Sequence, residues 1–501
     1  MADFDLAIVG GGINGAGIAR DAAGRGLRVL LVEQDDLASG TSSASTKLIH
    51  GGLRYLEHGW FHLVRAALIE REVLLRMAPH LIRPLRFVLP AEPGMRPAWM
   101  LRAGLFIYDH LGGRRMLPAT RTINLSRDPL GAPLKGNARW GFEYSDCQTD
   151  DARLTVLNAL DAAERGAVIR TRTCCVRGDR RDTWRLMLKV RGRPDVVSAR
   201  VLINATGPWL GSFGESALRQ PPATHLRLDQ GSHIVVRRLF DHDRGYIFQA
   251  TDGRVVFALP FERDFTLIGT TDRKFTGDPA TAAPGAEEID YLCSVISGHF
   301  RSPISPADVV HAFAGVRALY DDGSKDPQDT PRDYVLTLDE PDGEAPLVNV
   351  YGGKITTYRR LAEDTLDRLS HVFGARPAWT KKSVLPGGDF PVDGLERLIA
   401  ETRKSWVFLS DEHARRLVRA YGTRVDRILG SAKSLDDLGA NLGADLTAAE
   451  VRYLMEHEWA QVADDVLWRR SKLGLVVSRE ERERLAKFMV DALGSAAWAL
   501  A

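Results

Sequence analysis

Cysteine is scarce in this 501-residue chain, which contains only four. Cys147 and Cys293 are isolated and Cys174 is followed directly by Cys175, so no Cys-x-x-Cys pair is present. This pattern gives no indication of a zinc ribbon, a thioredoxin-type redox site or a disulfide framework. We expect four reduced thiols in a reducing compartment.

Long apolar runs and an excess of one charge are also missing. No segment reaches the roughly 18 uninterrupted apolar residues of a membrane-spanning helix, and the N-terminal sequence lacks the basic start and apolar core of a secretion signal. The 67 Lys and Arg balance 65 Asp and Glu to a net charge of +2, which gives no support to nucleic-acid binding. A hydrophobic fraction of 44% is typical of a folded protein, and the length predicts about two or three domains.

The N-terminal segment has the order strand, glycine turn, helix, strand, acidic residue. Its parts are Phe4–Val9, Gly10, Gly12, Gly15, Leu27–Val32 and Glu33. Glycines with the spacing G-x-G-x-x-G permit a tight turn, close approach of the backbone to a pyrophosphate, and close packing of helix on strand. The helix N-terminus offers N–H donors to phosphates, and the acidic residue can accept a hydrogen bond from a ribose. The segment predicts a dinucleotide-binding unit, and a purely structural glycine turn is the alternative.

Three further segments have features that suit a larger cofactor. Residues 39–55 form a long loop rich in hydroxyls and glycine, residues 201–209 form an apolar strand that ends in Asn-Ala-Thr-Gly-Pro, and residues 347–359 run through Gly-Gly-Lys into a helix. An NAD-binding half-domain would usually continue into its next helix, so the loop favours FAD, with an ordinary solvated loop as the alternative. Because the segments are far apart in sequence, they predict a discontinuous FAD domain.

The chain resembles the FAD-dependent aerobic glycerol-3-phosphate dehydrogenases, within the D-amino-acid-oxidase-like flavoprotein group. The matching motifs, in chain order, are IVGGGINGAGIARDAAGRGL, TSSASTKLIHGGLRYLEHG, REVLLRMAPHL, GLFIYDHLG, GFEYSDCQTDDARL, NATGPW, GSHIVV, IGTTDRKFTGDP, AGVRALYDD, PRDYVL, YGGKITTYRRLAE and DDVLWRRSKLGL. They cover nearly the whole chain. Two departures are minor, since Thr46 and Ala318 stand where the family often has serine and proline.

The resemblance implies an α/β fold with a discontinuous, Rossmann-like FAD-binding domain of the glutathione-reductase type, an antiparallel-sheet substrate domain and a helical C-terminal cap. The expected ranges are 1–80, 146–225 and 326–385 for the FAD-binding domain, 81–145 and 226–325 for the substrate-binding domain, and 386–501 for the cap. The residues themselves support this division. Short β-rich runs between turn residues occur in the second domain, and capping-box patterns begin at Thr447 and Ser478 in the third.

The reaction of the family is oxidation of the C2 hydroxyl of sn-glycerol 3-phosphate to a ketone, which gives dihydroxyacetone phosphate and transfers a hydride to FAD. A phosphate dianion requires cations, and the hydroxyl requires a proton acceptor. By analogy, Arg317, Arg332 and Lys354 hold the phosphate, and Arg54 and Tyr55 line the pocket. Thr270 either bonds the substrate or holds its own strand.

His233 is the expected proton acceptor because imidazole titrates near neutral pH. Capping of its apolar strand is the structural alternative, and transfer assisted by Arg317 or by a water is the rival mechanism. The expected FAD contacts are Gly10, Gly12, Gly15, Glu33, Thr41, Ser42, Ser45, Lys47, His50, Gly51, Ala205, Gly207, Gly353 and Thr356. No metal site is expected, because the acidic residues and histidine at 457–465 lack a ligand spacing.

Residues 83–116 combine six arginines with apolar and aromatic residues. Such a segment, with these side chains exposed, would suit an interface with anionic lipid. A core helix with basic ends is the alternative. The resemblance implies a peripheral protein on the cytoplasmic face of the inner membrane that passes electrons to quinone, and it leaves a homodimer open. The competing functions are a soluble glycerol-3-phosphate oxidase using O₂, an amine or amino-acid oxidase, and a non-catalytic FAD-binding protein. The glycerol-3-phosphate oxidases carry an insertion that is absent here. The intact cation cluster disfavours both the amine or amino-acid oxidase and the non-catalytic protein.

Overall fold

The fold was analysed in a computed structural model that describes residues 2–57, 59–92, 95–113, 116–136, 138–221, 223, 225–321 and 333–494. The strands are β1 (Phe4–Val9), β2 (Val29–Val32), β3 (Leu48–Ile49), β4 (Arg83–Pro90), β5 (Arg121–Asn124), β6 (Trp140–Gln148), β7 (Val168–Arg170), β8 (Thr173–Arg180), β9 (Trp184–Val190), β10 (Arg193–Asn204), β11 (Leu226–Arg237), β12 (Gly245–Gln249), β13 (Val255–Phe261), β14 (Phe265–Gly269), β15 (Arg273–Lys274), β16 (Val309–Tyr320), β17 (Val335–Asp339), β18 (Leu347–Tyr351), β19 (Asn441–Gly443) and β20 (Leu446–Thr447). The helices are α1 (Ile13–Gly24), α2 (Phe61–Met77), α3 (Ala98–Leu111), α4 (Asp151–Glu164), α5 (Leu210–Leu218), α6 (Ala286–His299), α7 (Tyr358–Arg368), α8 (Ser370–Phe373), α9 (Leu395–Ser405), α10 (Asp411–Tyr421), α11 (Val425–Leu429), α12 (Ala448–His457) and α13 (Arg479–Gly494).

The first sheet contains the predicted dinucleotide-binding unit. Its parallel strands lie in the order β18, β10, β1, β2, β7. Strand β17 pairs antiparallel with β18 at one edge, and the β8–β9 hairpin pairs antiparallel with the first half of β10. β2 is buried along its whole length, which explains its continuous apolar sequence. Helix α1 packs on α4 and α7. The carboxyl ends of the parallel strands lie beside the start of α1.

The second sheet runs in the order β15, β11, β14, β13, β12, β4, β6, β3, with β16 added to β11 and β5 to β6. Its pairings are antiparallel except for one, since β12 runs parallel to β4. The two strands of that pair come from separate segments of the chain, so no hairpin forces them to be antiparallel. Together the two sheets and the helical C-terminal region confirm the predicted fold class.

The C-terminal region consists of helices α9 to α13 around their own apolar core. The hydroxyl of Thr447 accepts a hydrogen bond from the N–H of Glu450 at the start of α12, as the capping pattern predicts. The Glu450 carboxylate, however, binds Arg416 instead of completing the box. Ser478 and Glu481 do form the reciprocal pair, at 2.7 and 3.2 Å. None of the described helices is both long and apolar enough to cross a bilayer.

Buried ion pairs join the C-terminal region to the first domain. The Arg153 guanidinium of α4 binds both carboxylate oxygens of Glu458, and both side chains are almost fully buried. Arg470 binds the buried carboxylate of Asp36 at 2.7 and 2.8 Å. Lys472 reaches Asp150 at 2.9 Å. The first two pairs are desolvated, so each of their charges requires its partner to remain in place.

Replacing Glu458 by glutamine should therefore lower the free energy of unfolding by about 3–5 kcal/mol, because it leaves the buried Arg153 charge without compensation. The matched control is Glu396→Gln, which removes an exposed carboxylate paired with Arg415 and should cost roughly 0–1 kcal/mol. Denaturant unfolding of the two FAD-loaded variants measures the difference. Equal losses in the two variants would contradict the assigned role of Glu458.

Candidate active site

A cavity of about 670 Å³ lies between the carboxyl ends of the parallel strands and the second sheet. Most of the predicted site residues line it. They are Gly10, Gly12, Glu33, Thr41, Ser42, Ser45, His50, Tyr55, Ala205, Gly207, His233, Thr270, Arg317, Gly353, Lys354 and Thr356. The fold thus brings residues from distant segments of the chain to one site.

The structure places four predicted residues away from the cavity wall, and a fifth lies outside the described residues. Gly15 faces the glycine turn, where a Cβ would overlap the carbonyl oxygen of Gly10. Gly51 is buried and donates its N–H to the Tyr108 hydroxyl at 2.8 Å. Arg54 lies in a short 3₁₀ turn, Leu53–Leu56, and does not line the cavity. Arg332 is the residue outside the described part of the chain.

Lys47, the fourth predicted residue away from the cavity wall, lies behind the hydroxyl-rich loop. Its ammonium group donates to Asp151 at 2.7 Å and to the carbonyl oxygen of Ser43 at 2.8 Å, and its side chain is almost completely buried. Asp151 also accepts hydrogen bonds from the backbone and the hydroxyl of Ser45. Lys47 therefore fixes the shape of the loop that forms the wall of the cavity.

The glycine turn forms a cradle with no room for side chains. Gly10 has φ +113°, and a Cβ there would overlap the carbonyl oxygen of Ala205. A Cβ on Gly353, at φ +95°, would lie 3.1 Å from the Asn14 amide nitrogen. Backbone can therefore approach a bound pyrophosphate closely on both sides, as FAD requires.

Glu33 lies at the end of β2, where a ribose would bind. Its carboxylate accepts the N–H of Gly11 at 2.7 Å and that of Asp35 at 2.9 Å. Burial raises the pKa of the Glu33 carboxyl, while these two hydrogen bonds oppose the shift. A carboxylate oxygen can accept more than one hydrogen bond, so Glu33 can also bind a ribose hydroxyl.

Asn14 is a cavity residue that the sequence analysis missed. Its amide nitrogen donates to the carbonyl oxygen of Gly352 at 3.1 Å. This hydrogen bond links the N-terminal glycine turn to the Gly-Gly-Lys segment. Its buried Oδ1 has no hydrogen-bond partner among the described residues. The position of Asn14 inside the G-x-G-x-x-G pattern was the available signal. The glycine cradle and Glu33 together fit an FAD site.

Two cations also line the cavity. The Lys354 ammonium lies 3.9 Å from the ring centroid of Tyr55 and makes no hydrogen bond or ion pair with the described residues. Arg317 donates to Asp272 at 3.0 Å and to the Thr270 hydroxyl at 3.3 Å. These two cations provide a point charge and a planar donor for an anionic substrate. Asp272, which orients Arg317, was not predicted, although it lies in the same motif as Thr270.

His233 stands in β11 between two neighbouring strands, opposite Gly269 of β14 and Phe313 of β16. Its ring stacks on Phe313 with the centroids 5.0 Å apart, and a Cβ on Gly269 would overlap it. Nε2 forms a hydrogen bond of 2.9 Å with Thr46 Oγ1, whereas Nδ1 has no partner within the described part of the chain. Burial, with smaller contributions from Arg317 and Lys47, holds the pKa of His233 well below its usual value. The imidazole is therefore neutral near pH 7 and able to accept a proton.

Comparison with known proteins agrees with this geometry. The chain is 53% identical to a glycerol-3-phosphate dehydrogenase of Pseudomonas aeruginosa, over 97% of this chain and 95% of the relative. It is 47% identical to a D-erythritol 1-phosphate dehydrogenase of Brucella abortus, over 97% of this chain and 98% of the relative. Both relatives are named for dehydrogenation of a phosphorylated polyol.

A solved structure has the same fold. The glycerol-3-phosphate dehydrogenase from Bacillus halodurans, complexed with FAD, superimposes with a TM-score of 0.79. It shares 28% identity, and the match covers 100% of this chain and 92% of that one.

Two family models together cover most of the sequence. The model described as FAD dependent oxidoreductase matches residues 5–359. The model described as the C-terminal domain of alpha-glycerophosphate oxidase matches residues 378–498. The resemblance inferred from the motifs is confirmed, and so is FAD as the cofactor. The chain therefore belongs to the FAD dependent oxidoreductase family, with a C-terminal domain of the glycerophosphate-oxidase type.

Proposed function

We propose that this enzyme oxidises sn-glycerol 3-phosphate to dihydroxyacetone phosphate and passes the electrons to a membrane quinone. The observation that carries the proposal is the Lys354 ammonium, which lines the cavity without an ion-pair partner among the described residues. Together with Arg317 it provides the charge that a phosphate needs. The names of the relatives support a phosphorylated polyol as the substrate class.

The residues of the chain have distinct tasks in this reaction. The glycine turns at Gly10 and Gly353 and the carboxylate of Glu33 would hold FAD, which supplies the hydride acceptor when it is bound. Lys354 and Arg317 bind the phosphate and so fix the distance from the phosphate to the C2 carbon. Since Arg317 also donates to Asp272 and Thr270, its guanidinium is held in one orientation before substrate arrives.

Proton removal falls to His233. A neutral imidazole is required, and the buried ring next to Arg317 is held in that form. Burial contributes most to the lowered pKa of His233, and Arg317, one of the two proposed phosphate ligands, lowers it further. Its low basicity is offset because the acidity of the substrate hydroxyl rises as the hydride leaves.

The acceptor and the membrane are the second part of the proposal. Helix α3 exposes Trp99, Phe106 and Ile107 to solvent at 70%, 56% and 41%. These residues share one helical face because they are separated by seven and eight positions. An exposed apolar and aromatic face of this kind suits insertion into the interface of a lipid bilayer. We assign it to the cytoplasmic face of the inner membrane, where a lipid-soluble quinone is reduced. Arg114 and Arg115 of the predicted basic segment lie outside the described residues.

The substrate is tested by mixing the FAD-loaded protein with candidate substrates without oxygen and following the visible flavin absorbance. Bleaching by glycerol 3-phosphate, and not by glycerol or amino acids, is expected because the substrate binds to the cation cluster through its phosphate. D-Erythritol 1-phosphate, one carbon longer, is the informative competitor. Faster bleaching by this compound would reassign the substrate within the same class.

Lys354→Met should raise the half-saturating concentration of glycerol 3-phosphate by about 10- to 100-fold, since a hydrogen bond to a charged group contributes about 1.5–3 kcal/mol. Methionine retains an apolar contact with the Tyr55 ring. The control is Lys382→Met, which removes an exposed lysine and should leave the titration unchanged. An unchanged titration in Lys354→Met would refute phosphate binding by this lysine.

The double variant Trp99→Ser, Phe106→Ser should bind vesicles of phosphatidylglycerol and phosphatidylethanolamine about tenfold or more weakly, because two large apolar side chains no longer leave water. Val407→Ser is the control, since Val407 is 83% exposed but belongs to the C-terminal region. Substrate bleaching should be the same in all three proteins. Undiminished vesicle binding by the double variant would exclude this face as the membrane contact.

The acceptor itself is tested by reoxidising the substrate-reduced protein. A soluble quinone analogue should reoxidise it faster than dissolved O₂. The reverse order would favour the alternative function, a soluble glycerol-3-phosphate oxidase.

A further inference from the structure

The neutral ring of His233 has very limited access to the cavity. Only 1% of the residue is exposed. Phe313 covers one side of the ring, and the Gly269 backbone is so close that a Cβ there would overlap it. Phe313 and Gly269 therefore cover the two faces of the imidazole, and a substrate hydroxyl could reach the ring only at its edge, where the nitrogens lie.

The two ring nitrogens differ in their surroundings. Nδ1 is buried and has no hydrogen-bond partner among the described residues, so it offers no route for a proton. Nε2 is bonded to the hydroxyl of Thr46 at 2.9 Å. Within the described part of the chain, this is the one hydrogen bond of the His233 side chain.

Thr46 connects this ring to the cavity. Both residues line the cavity, but Thr46 is only partly buried, whereas His233 is 1% exposed. Its hydroxyl can accept one proton and donate another, as a relay requires. Its neighbours fix its position, because Ser45 and Lys47 on either side are both bound to the buried carboxylate of Asp151.

We propose that the Thr46 hydroxyl relays the proton between the substrate and His233. The step rests on the proposed function. As the C2 hydroxyl becomes a ketone, its proton passes to Thr46 Oγ1 and the Thr46 proton passes to His233 Nε2. The electron pair of the C2–H bond leaves as the hydride of the proposed reaction, so the step balances. Thr46 is then the residue that touches substrate, and His233 stores the proton out of contact with it.

The test uses the full-length, FAD-loaded protein and the rate at which glycerol 3-phosphate bleaches the flavin without oxygen. Thr46→Val keeps the shape of the side chain and removes the hydroxyl, and should slow the limiting bleaching rate by about 10²–10⁴-fold, the range of a lost acid–base step. The half-saturating substrate concentration should change little, because the phosphate contacts remain. Thr46→Ser keeps the hydroxyl and should bleach at nearly the wild-type rate. Equal rates in the valine and serine variants would overturn the relay.

A second measurement needs no variant and therefore does not depend on how Thr46→Val folds. The wild-type limiting rate is measured in mixtures of H₂O and D₂O. If two protons move together, a plot of this rate against the deuterium fraction is curved. A linear plot would overturn the relay. The visible spectrum before mixing reports whether each protein holds FAD.

Failure of the relay and failure of the proposed substrate are distinguishable. If glycerol 3-phosphate does not bleach the wild-type protein, the substrate assignment fails, and both measurements are repeated with D-erythritol 1-phosphate. If neither compound bleaches a flavin-loaded wild-type protein, the relay falls together with the proposed function. If the wild type bleaches and the serine and valine variants match it, only the relay falls.

Discussion

Two adjacent carboxylates at the start of α4, one buried and one partly buried, hold the cofactor loop and the C-terminal region in place. Asp151 accepts hydrogen bonds from Ser45 and Lys47, which shape the loop along the cavity. Asp150 caps the helix and binds Lys472 of the C-terminal region. Negative charge is favoured at a helix N-terminus, so the helix dipole supports both interactions. Asp151 holds the two neighbours of Thr46, so the position of Thr46 against His233 depends on this carboxylate.

Positive charge in the cavity can meet two demands at once. Binding a phosphate requires positive charge, and removing a proton requires a base that stays uncharged. In the proposed reaction Arg317 contributes to both, because it would bind the phosphate and because it adds to the effect of burial in lowering the pKa of His233. Lys47 also lowers the pKa of His233, and its ammonium lies 5.2 Å from the centroid of the Phe313 ring. The ring is thus a neutral acceptor before substrate binds.

The sequence was sufficient for the parts of the structure that local rules determine. The βαβ unit with Gly10, Gly12 and Glu33 was predictable because strand, turn and helix follow one another within a few residues. The substrate end depended on the resemblance, since nothing local distinguishes Lys354 from other lysines. Asn14 and Thr46 were missed because their importance comes from partners far away in the chain, at Gly352 and His233. Lys47 was predicted to contact the cofactor because sequence alone does not show its buried partner, Asp151, which is 104 residues away. The parallel pairing of β12 with β4 likewise follows from the long-range path of the chain.

The ion pairs at the C-terminal region affect how such proteins can diverge. The two family models describe separate stretches of sequence, which suggests two exchangeable modules. In the folded chain, however, Asp36, Arg153 and Asp150 face Arg470, Glu458 and Lys472 across a buried boundary. A recombination event that brought in a C-terminal region without these matching charges would bury several of them unpaired. Gene fusion or domain exchange at this boundary therefore requires both sides to be inherited together.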